Sequence, residues 1–587
     1  MLHSRHFTIG ARACFIACFI FALYTLIAWR LYTYTVLKKD HYTSFIEHTH
    51  KTSRARGARR GLILDRRMVV LAMTQQLIDV GVDPFAVCPE KDQDRWPQLA
   101  ELLGLTLDEL KKAMTRHYVL RDGKKTKICW KKLGTLTEER AYEALLNLHI
   151  KGVYGSRRSE RIYPSGHIAS HVIGFVNRED VAVSGVERHM DFFLKGHEGC
   201  LTSECDGRRS ELVQFRELDI PAQNGANVTL TLDMSLQNAV EDLLDRWDQR
   251  YHPRWMSVLV SDALTGELLA LGNRPSFDLN AYAQAELDDL RNRAVTDTYE
   301  PGSVFKIVPV SLGIEWKAVD LQQIFDCSQG KVEYDGKHYL LPKDHRLMER
   351  LTVAEILSRS SNRGVAQIAL RLGARKLYRG IKLFGFGEKP GYGFDGEQGG
   401  VLHPPFRWDR LTITRLPMGH AISVTPLQIH QAMGVLASGG FLLRPQIVAF
   451  VQGTKGEELL RNLPEIRRRI LSPSTVSSVA HVLHDEDKMC LLGVKCAGKS
   501  GTSQKIIDGR YSSEHHVSSF SGFFPIENPQ VVITVVVDDA QVESGIAWGS
   551  RVAFPFFKKL AKKIIRYYEI APSVEESDDT NILASLI

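Results

Sequence analysis

No charged side chain occurs between Ala13 and Trp29, and the middle of that stretch reads Cys14-Phe-Ile-Ala-Cys-Phe-Ile-Phe-Ala-Leu23. As a helix rising about 1.5 Å per residue it covers roughly 25 Å, enough to cross a bilayer if Arg30 snorkels and the Leu31 to Leu37 stretch contributes. A buried core helix would have the same composition. The position beside the N-terminus, with Arg5 and Arg12 ahead of it, favours a membrane segment over residues 13–37. The following Ile27-Ala-Trp-Arg-Leu31 lacks the small residues a signal peptidase reads, so the anchor is expected to be uncleaved and single-pass. Basic residues also crowd the downstream side, at Arg30, Lys38, Lys39, Arg54, Arg56, Arg59 and Arg60. Charge alone therefore does not orient the span, because long domains can be translocated regardless of it.

At 587 residues the chain is too long for one core, and an apolar fraction of 44% supports two or more folded parts. Lys and Arg exceed Asp and Glu by 75 − 68 = 7, which suits an anionic lipid or polymer. No basic stripe interleaved with aromatics points to nucleic acid. The nine cysteines show no CxxC pair, so neither a metal nor a cofactor is expected. In an oxidising compartment Cys200/Cys205 and Cys490/Cys496 would close small loops; otherwise they are buried thiols.

Downstream of the anchor, Gly61 to Asp65 and Val69 to Ala72 read as extended. Residues 93–116 carry Leu99, Leu102, Leu103, Leu107, Leu110 and Met114 at helical spacing. Thr135 to Leu148 reads as a second helix, and Arg161 to Gly207 as an irregular, β-rich region. These segments form one expected accessory domain, 45–222. A turn-rich stretch, Pro221 to Asn227, precedes a strand at Val228-Thr-Leu-Thr-Leu232 and a helix from Ser235. The apolar run Val531-Val-Ile-Thr-Val-Val-Val537 is a buried strand, and Phe556 to Tyr568 a basic amphipathic helix. The second domain, 223–571, thus mixes α and β, and the acidic segment 572–587 is an expected disordered tail. The fold class is α+β and multidomain.

Three short motifs occur in order in the second domain: Ser303-Val-Phe-Lys306, Ser360-Ser-Asn362 and Lys499-Ser-Gly-Thr502. The set is that of serine β-lactamases and penicillin-binding proteins. Singly each is weak, since Ser-x-x-Lys arises by chance about once or twice in a chain of this length. Ser328-Gln-Gly-Lys331 is such a chance match, set in a polar turn with no helix to fix it. Ser303 differs because Pro301-Gly302 precedes it and Val304-Phe-Lys-Ile-Val-Pro-Val310 follows, placing the serine in the first turn of a buried helix. Hydroxyl and amine at i and i+3 share a face. A desolvated lysine beside a second cation takes the serine proton. Ser360 sits between the apolar segments Leu351 to Leu357 and Gly364 to Ala369, where it would relay a proton to a leaving amine while Asn362 hydrogen-bonds a peptide. Lys499 to Thr502 fits an edge strand, with Gly501 permitting close approach of a substrate backbone. Spacings of 57 residues from Ser303 to Ser360 and 139 from Ser360 to Lys499 make joint chance occurrence far rarer than any single match.

On these motifs the sequence resembles a class B penicillin-binding protein along nearly its whole length. Arg60-Gly-Leu-Ile-Leu-Asp-Arg66, Arg161-Ile-Tyr-Pro164, His171-Val-Ile-Gly-Phe175 and Gly185-Val-Glu187 are similar to the family's pedestal motifs. Thr231-Leu-Asp233, Thr265-Gly-Glu267, Pro275-Ser-Phe-Asp278, Asn292-Arg-Ala294, Glu300-Pro-Gly-Ser303 and Thr425-Pro-Leu-Gln428 resemble its transpeptidase domain. Arg67-Met68 and Met418-Gly-His420 depart from the pattern. The His171 to Phe175 segment is more similar to the division-specific, septal branch.

The resemblance implies a β-rich pedestal and a serine transpeptidase domain with an antiparallel sheet flanked by helices. It implies peptidoglycan stem peptides ending in D-Ala-D-Ala as substrate and β-lactams as inhibitors. Ser303 would be the nucleophile, with Lys306 and Ser360 as its catalytic partners. Asn362, Lys499, Ser500, Gly501 and Thr502 would bind substrate, and the backbone N–H groups of Ser303 and Thr502 would form the oxyanion hole. The family also implies an inner-membrane protein with residues 1–12 cytoplasmic and the body outside, working with a membrane glycosyltransferase and division proteins. A β-lactamase or D,D-carboxypeptidase would share the three motifs, but needs neither anchor nor pedestal. An idle sensor or scaffold would be expected to have lost a motif residue, and none is missing.

Overall fold

The computed structural model describes residues 3–43, 51–115, 118–121, 124–206, 211–394 and 396–573. They fall into two compact units, residues 1–59 with 195–225, and residues 60–194 with 226–587.

In the smaller unit a helix runs His3–Tyr32 and continues as a π-helical turn, Thr33–Leu37. The segment Gly10–Leu37 is long and apolar enough to cross a membrane, and Phe15, Phe19, Phe21, Leu23 and Trp29 are exposed along it. Such a surface is stable only against lipid or another apolar partner. The same unit holds a three-stranded antiparallel sheet of Lys51–Arg56, Gly199–Cys205 and Glu211–Ile220. Cys200 and Cys205 lie five residues apart on one strand, with Cys205 on the buried face and Cys200 on the other. At about 3.3 Å per residue they are far beyond bridging distance. Cys490 is exposed and Cys496 buried, burial pushing the latter thiol up to about 12. Neither pair is bridged, so the thiol alternative holds among the described residues.

In the larger unit a long strand, Val70–Val82, pairs with Val153–Ile162 and Lys131–Leu136. This sheet continues through Ile63–Leu64 to Asn227–Leu230, Val448–Gln452 and Glu458–Arg461, so one sheet runs across the turn-rich stretch near 222. Residues 93–116 are not one helix. Gly104, at φ +64°, ends the helix Trp96–Leu103, and the Thr106/Glu109 capping box starts Leu107–Met114. The expected helix from Thr135 begins only at Glu139, because Thr135 and Leu136 finish a strand. The 161–207 region is less β-rich than expected, with short helices at Ser170–Ile173, Gly185–His189 and Asp191–Leu194. They are organised around a buried carboxylate: Glu187 receives Arg60 Nε at 2.7 Å, Arg161 Nε at 2.7 Å and the Tyr163 hydroxyl at 3.3 Å. A buried charge persists when it is partnered in this way.

The C-terminal part is built on a five-stranded antiparallel sheet, here β1 (Trp255–Asp262), β2 (Leu268–Arg274), β3 (Ala497–Ile507), β4 (Arg510–Phe524) and β5 (Val531–Asp538). Its order is β2-β1-β5-β4-β3, which leaves β3 at an edge. Every residue of β5 is buried. Alternate residues explain why: Val531, Ile533, Val535 and Val537 belong to one apolar cluster with the helices Met234–Tyr251 and Gly549–Tyr567, whereas Val532 and Val536 enter the core of the central helices. A strand covered on both faces reads as an unbroken apolar run. Four helices matter below: α1 (Ile307–Glu315), α2 (Val353–Ser358), α3 (Asn362–Leu372) and α4 (Gly549–Tyr567). α4 contains the expected amphipathic segment up to Tyr567, with Tyr568 as its C-cap, and buries Phe556, Phe557, Leu560, Ile564 and Ile565. Of the expected acidic tail, residues 574–587 lie outside the described residues.

Candidate active site

Ser303 stands in a 3-10 turn, Gly302–Lys306, that leads directly into α1. Gly302 has φ +61°, and a Cβ there would lie 2.6 Å from the carbonyl oxygen of Thr502. Only glycine lets the turn bend this way while touching β3. Gly501 serves the same contact from the strand side, since a Cβ there would meet Ser519 Oγ at 2.4 Å and Pro301 O at 2.9 Å. The Ser303 turn and the edge strand are thus packed backbone to backbone.

One turn after Ser303, Lys306 is fully buried. Its Nζ lies within hydrogen-bonding distance of Ser360 O at 2.6 Å, Ser360 Oγ at 3.1 Å and Asn362 Oδ1 at 2.6 Å. Burial first, and the charge of Lys499 second, push its pKa well below the usual lysine range, and Asp344 offsets this only in part. A lysine so placed is poised to be a neutral base. Ser360 reaches Lys306 because it occupies the break between α2 and α3 at φ +62°, which turns its carbonyl toward the amine. Few non-glycine residues hold that conformation, and its cost is of order 1–3 kcal/mol. The break is pinned from outside by Asp344, whose carboxylate accepts the Ser361 hydroxyl at 2.9 Å and the backbone N–H groups of Asn362 and Arg363. Asn362 Nδ2 also donates to Lys343 O at 2.8 Å.

On β3, Lys499, Gly501 and Ser503 turn to the buried face and Ser500 and Thr502 to the opposite one. Lys499 Nζ lies 3.1 Å from Ser360 Oγ and 3.1 Å from Ser500 O, so the Ser360 hydroxyl accepts from two lysines. Burial pushes the Lys499 pKa down to about 8. The Thr502 hydroxyl accepts the N–H of Gly549 at 2.9 Å, which ties β3 to the start of α4. Ser303, Asn362 and Thr502 share a cleft of about 710 Å³ with Lys343, His345 and Trp548. His345 meets Trp548 edge-on at 4.6 Å, and burial, then the charge of Lys306, lowers its pKa.

The three motifs therefore converge on one cleft, with Ser360 bonded to both lysines. Ser328 is elsewhere in chemistry as well as sequence: it is exposed, and its hydroxyl donates to Asp326 at 2.6 Å. Sequence reasoning missed Asp344 and Lys343, which come from a loop following an exposed hairpin and carry no motif. It also missed His345, Trp548 and Tyr511. Among the described residues no cluster of His, Cys, Asp and Glu could hold a metal ion.

Comparison with known proteins places this arrangement. Residues 256–562 match the penicillin binding protein transpeptidase domain, and residues 55–230 the penicillin-binding protein dimerisation domain. The chain is 29% identical to stage V sporulation protein D of Bacillus subtilis (strain 168) over 579 residues, 96% of this chain and 87% of that protein. It is 27% identical to the peptidoglycan D,D-transpeptidase FtsI of Escherichia coli (strain K12) over 533 residues, 89% and 86% of the two. Among solved structures, penicillin binding protein 2X of Streptococcus thermophilus superposes with a TM-score of 0.71 at 21% identity, covering 88% of this chain and 80% of that one. Penicillin binding protein 3 of Mycobacterium tuberculosis, complexed with ampicillin, gives 0.66 at 23%, covering 89% and 98%. These two structures share the fold. With a transpeptidase domain spanning more than half its length behind a dimerisation domain, the chain belongs to the class B penicillin-binding proteins.

Proposed function

We propose that this protein is a membrane-anchored peptidoglycan D,D-transpeptidase that acts at the division septum and is acylated by β-lactams. The observation that carries the reading is the buried Lys306, depressed in basicity, one turn from Ser303 and bonded to Ser360 and Asn362. Lys306 takes the Ser303 proton as Oγ attacks the carbonyl of the penultimate D-alanine. The oxyanion is received by the N–H groups of Ser303 and Thr502. The peptide C–N bond then breaks, and the proton held by Lys306 passes through the Ser360 hydroxyl to the nitrogen of the departing D-alanine, which leaves Lys306 neutral. Ser500, Thr502 and the Lys499 charge hold the terminal carboxylate, and Gly501 lets the donor backbone lie against β3. The acyl group leaves Ser303 when the amine of a neighbouring stem attacks: the new amide C–N bond forms, the ester C–O bond breaks, and the amine's proton passes by way of Lys306 to Ser303 Oγ.

Transfer to an amine, rather than to water, is supported by the one carboxylate among the described residues of the cleft. Asp409 is occupied, accepting the N–H groups of Leu411 and Thr412 and the Thr412 hydroxyl at 3.0, 2.7 and 2.6 Å. It is thereby unsuited to activating a water. The apolar segment Gly10–Leu37 supports the anchor, and the reaction requires the body outside the inner membrane with the N-terminus inside. The relative named peptidoglycan D,D-transpeptidase and the His171 to Phe175 segment support the substrate and the septal role. A membrane glycosyltransferase and other division proteins complete the proposed assembly. Incubation with a stem-peptide mimic and added D-amino acid should give exchange products, with penicillin retained as a lasting adduct. Loss of the penicilloyl group within seconds, with excess hydrolysed drug, would make the protein a hydrolase instead.

A further inference from the structure

A second cavity of about 710 Å³ adjoins the reaction cleft: Ala421 and Gln504 line both volumes, Glu300 lines the second, and His420 and Tyr511 line the cleft. The wall between them is held by one carboxylate. Glu300 accepts the N–H of Ala421 at 2.9 Å and the Tyr511 hydroxyl at 3.1 Å, and His420 Nδ1 lies 2.9 Å from it. His420 Nδ1 is also 3.2 Å from the Tyr511 oxygen. The three side chains come from three segments: the residues just before the nucleophile, the loop after the 3-10 turn Leu416–Met418, and the start of β4. That end of the β3–β4 hairpin lies outside the core. Ile506, Ile507 and Tyr511 are exposed there, and the ladder is interrupted between Gln504 and Ile506. Hydrogen bonds between partly exposed groups are modest in net strength, so this closure can open at little cost.

Behind the wall the lining is charged, with Arg254, Arg293, Asp297, Lys505 and Asp538 among its residues. A peptide lying along β3 alternates its side chains, and one passing Gln504 meets this wall. Resting on the reading above, we propose that Glu300, His420 and Tyr511 form a latch, and that the cavity behind it is a subsite for a long charged side chain of the donor stem peptide. An apolar side chain would find no such reception, because burying it would strip water from paired ions without replacing their contacts.

The test uses the full-length protein and two peptides ending in D-Ala-D-Ala that differ only in lysine or norleucine at the preceding residue. Tyr511→Phe keeps the ring and removes the hydroxyl, and His420→Gln weakens the same closure from another segment. Each variant, checked for an unchanged melting temperature, should raise the lysine-to-norleucine ratio of kcat/KM at least fivefold, with the change carried by KM. Equal changes for both peptides, or none, would overturn the latch and its subsite while leaving the transpeptidase reading intact. Wild-type protein that turns over neither peptide and is not acylated at Ser303 would end that reading and this one with it.

Discussion

Two Ser-x-x-Lys segments lie 25 residues apart in this chain, and they share nothing but the spacing. In Ser303-Val-Phe-Lys306 the serine opens a helix, the lysine is wholly buried, and its amine is bonded to Ser360 and Asn362. In Ser328-Gln-Gly-Lys331 the serine is exposed, its hydroxyl is held by Asp326, and the lysine begins the exposed strand Lys331–Tyr334. On the proposed function, what makes a nucleophile is the surroundings that strip water from the lysine and leave a second cation beside it, not the four-residue pattern.

The contrast can be broken residue by residue. Lys306→Ala should slow acylation by about 10²–10⁴, the usual worth of a positioned base, whereas Lys331→Ala should leave the rate within about twofold. Stopped-flow acylation with a chromogenic β-lactam measures both, and equal effects would erase the distinction. The glycines differ in the same sense. Gly302→Ala places a Cβ 2.6 Å from Thr502 O at φ +61°, and should cost about 1–3 kcal/mol in thermal melting along with most of the acylation rate. Gly330→Ala meets only the Arg363 guanidinium, at 3.9 Å, and should stay within about 0.5 kcal/mol of wild type.

Each segment also has its own aspartate. Asp344→Asn weakens the hydrogen bonds that pin Ser361 and Asn362 and should slow acylation about tenfold, the scale of one charge-assisted bond. Asp326→Asn should leave acylation unchanged in the same assay. The smallest effect is in pH. In the proposed mechanism acylation needs Lys306 without its proton and Lys499 with it. The rate should therefore rise as Lys306 deprotonates and fall severalfold as pH passes about 8, where Lys499 loses its charge. Lys499→Arg keeps the charge to far higher pH, so a falling limb that stays near 8 in that variant would assign it to another group.

Much of this was legible because local pattern and tertiary role coincide. The run at Val531 to Val537, apolar but for Thr534, is a strand covered on both faces, the Lys499 strand is an edge, and all of Phe556 to Tyr568 but its last residue lies within one amphipathic helix. The break at Gly104 was written in the sequence too, as glycine followed by the Thr106-Leu-Asp-Glu109 cap, but leucine periodicity on both sides masked it. Other features had no local signal. Asp344 acts on residues 17 to 19 positions away, and Tyr511 on a carboxylate 211 positions away. Arg60, Arg161 and Glu187 were visible as separate motifs, yet only the fold brings them to one buried ion cluster.

The central claim is that surroundings, not spacing, choose the nucleophile, and peptide mapping by mass spectrometry after brief penicillin treatment tests it most directly. The account predicts one penicilloyl group on the peptide bearing Ser303, absent from Ser303→Ala protein that still folds. An adduct on Ser328, or none on folded wild-type protein, would contradict it.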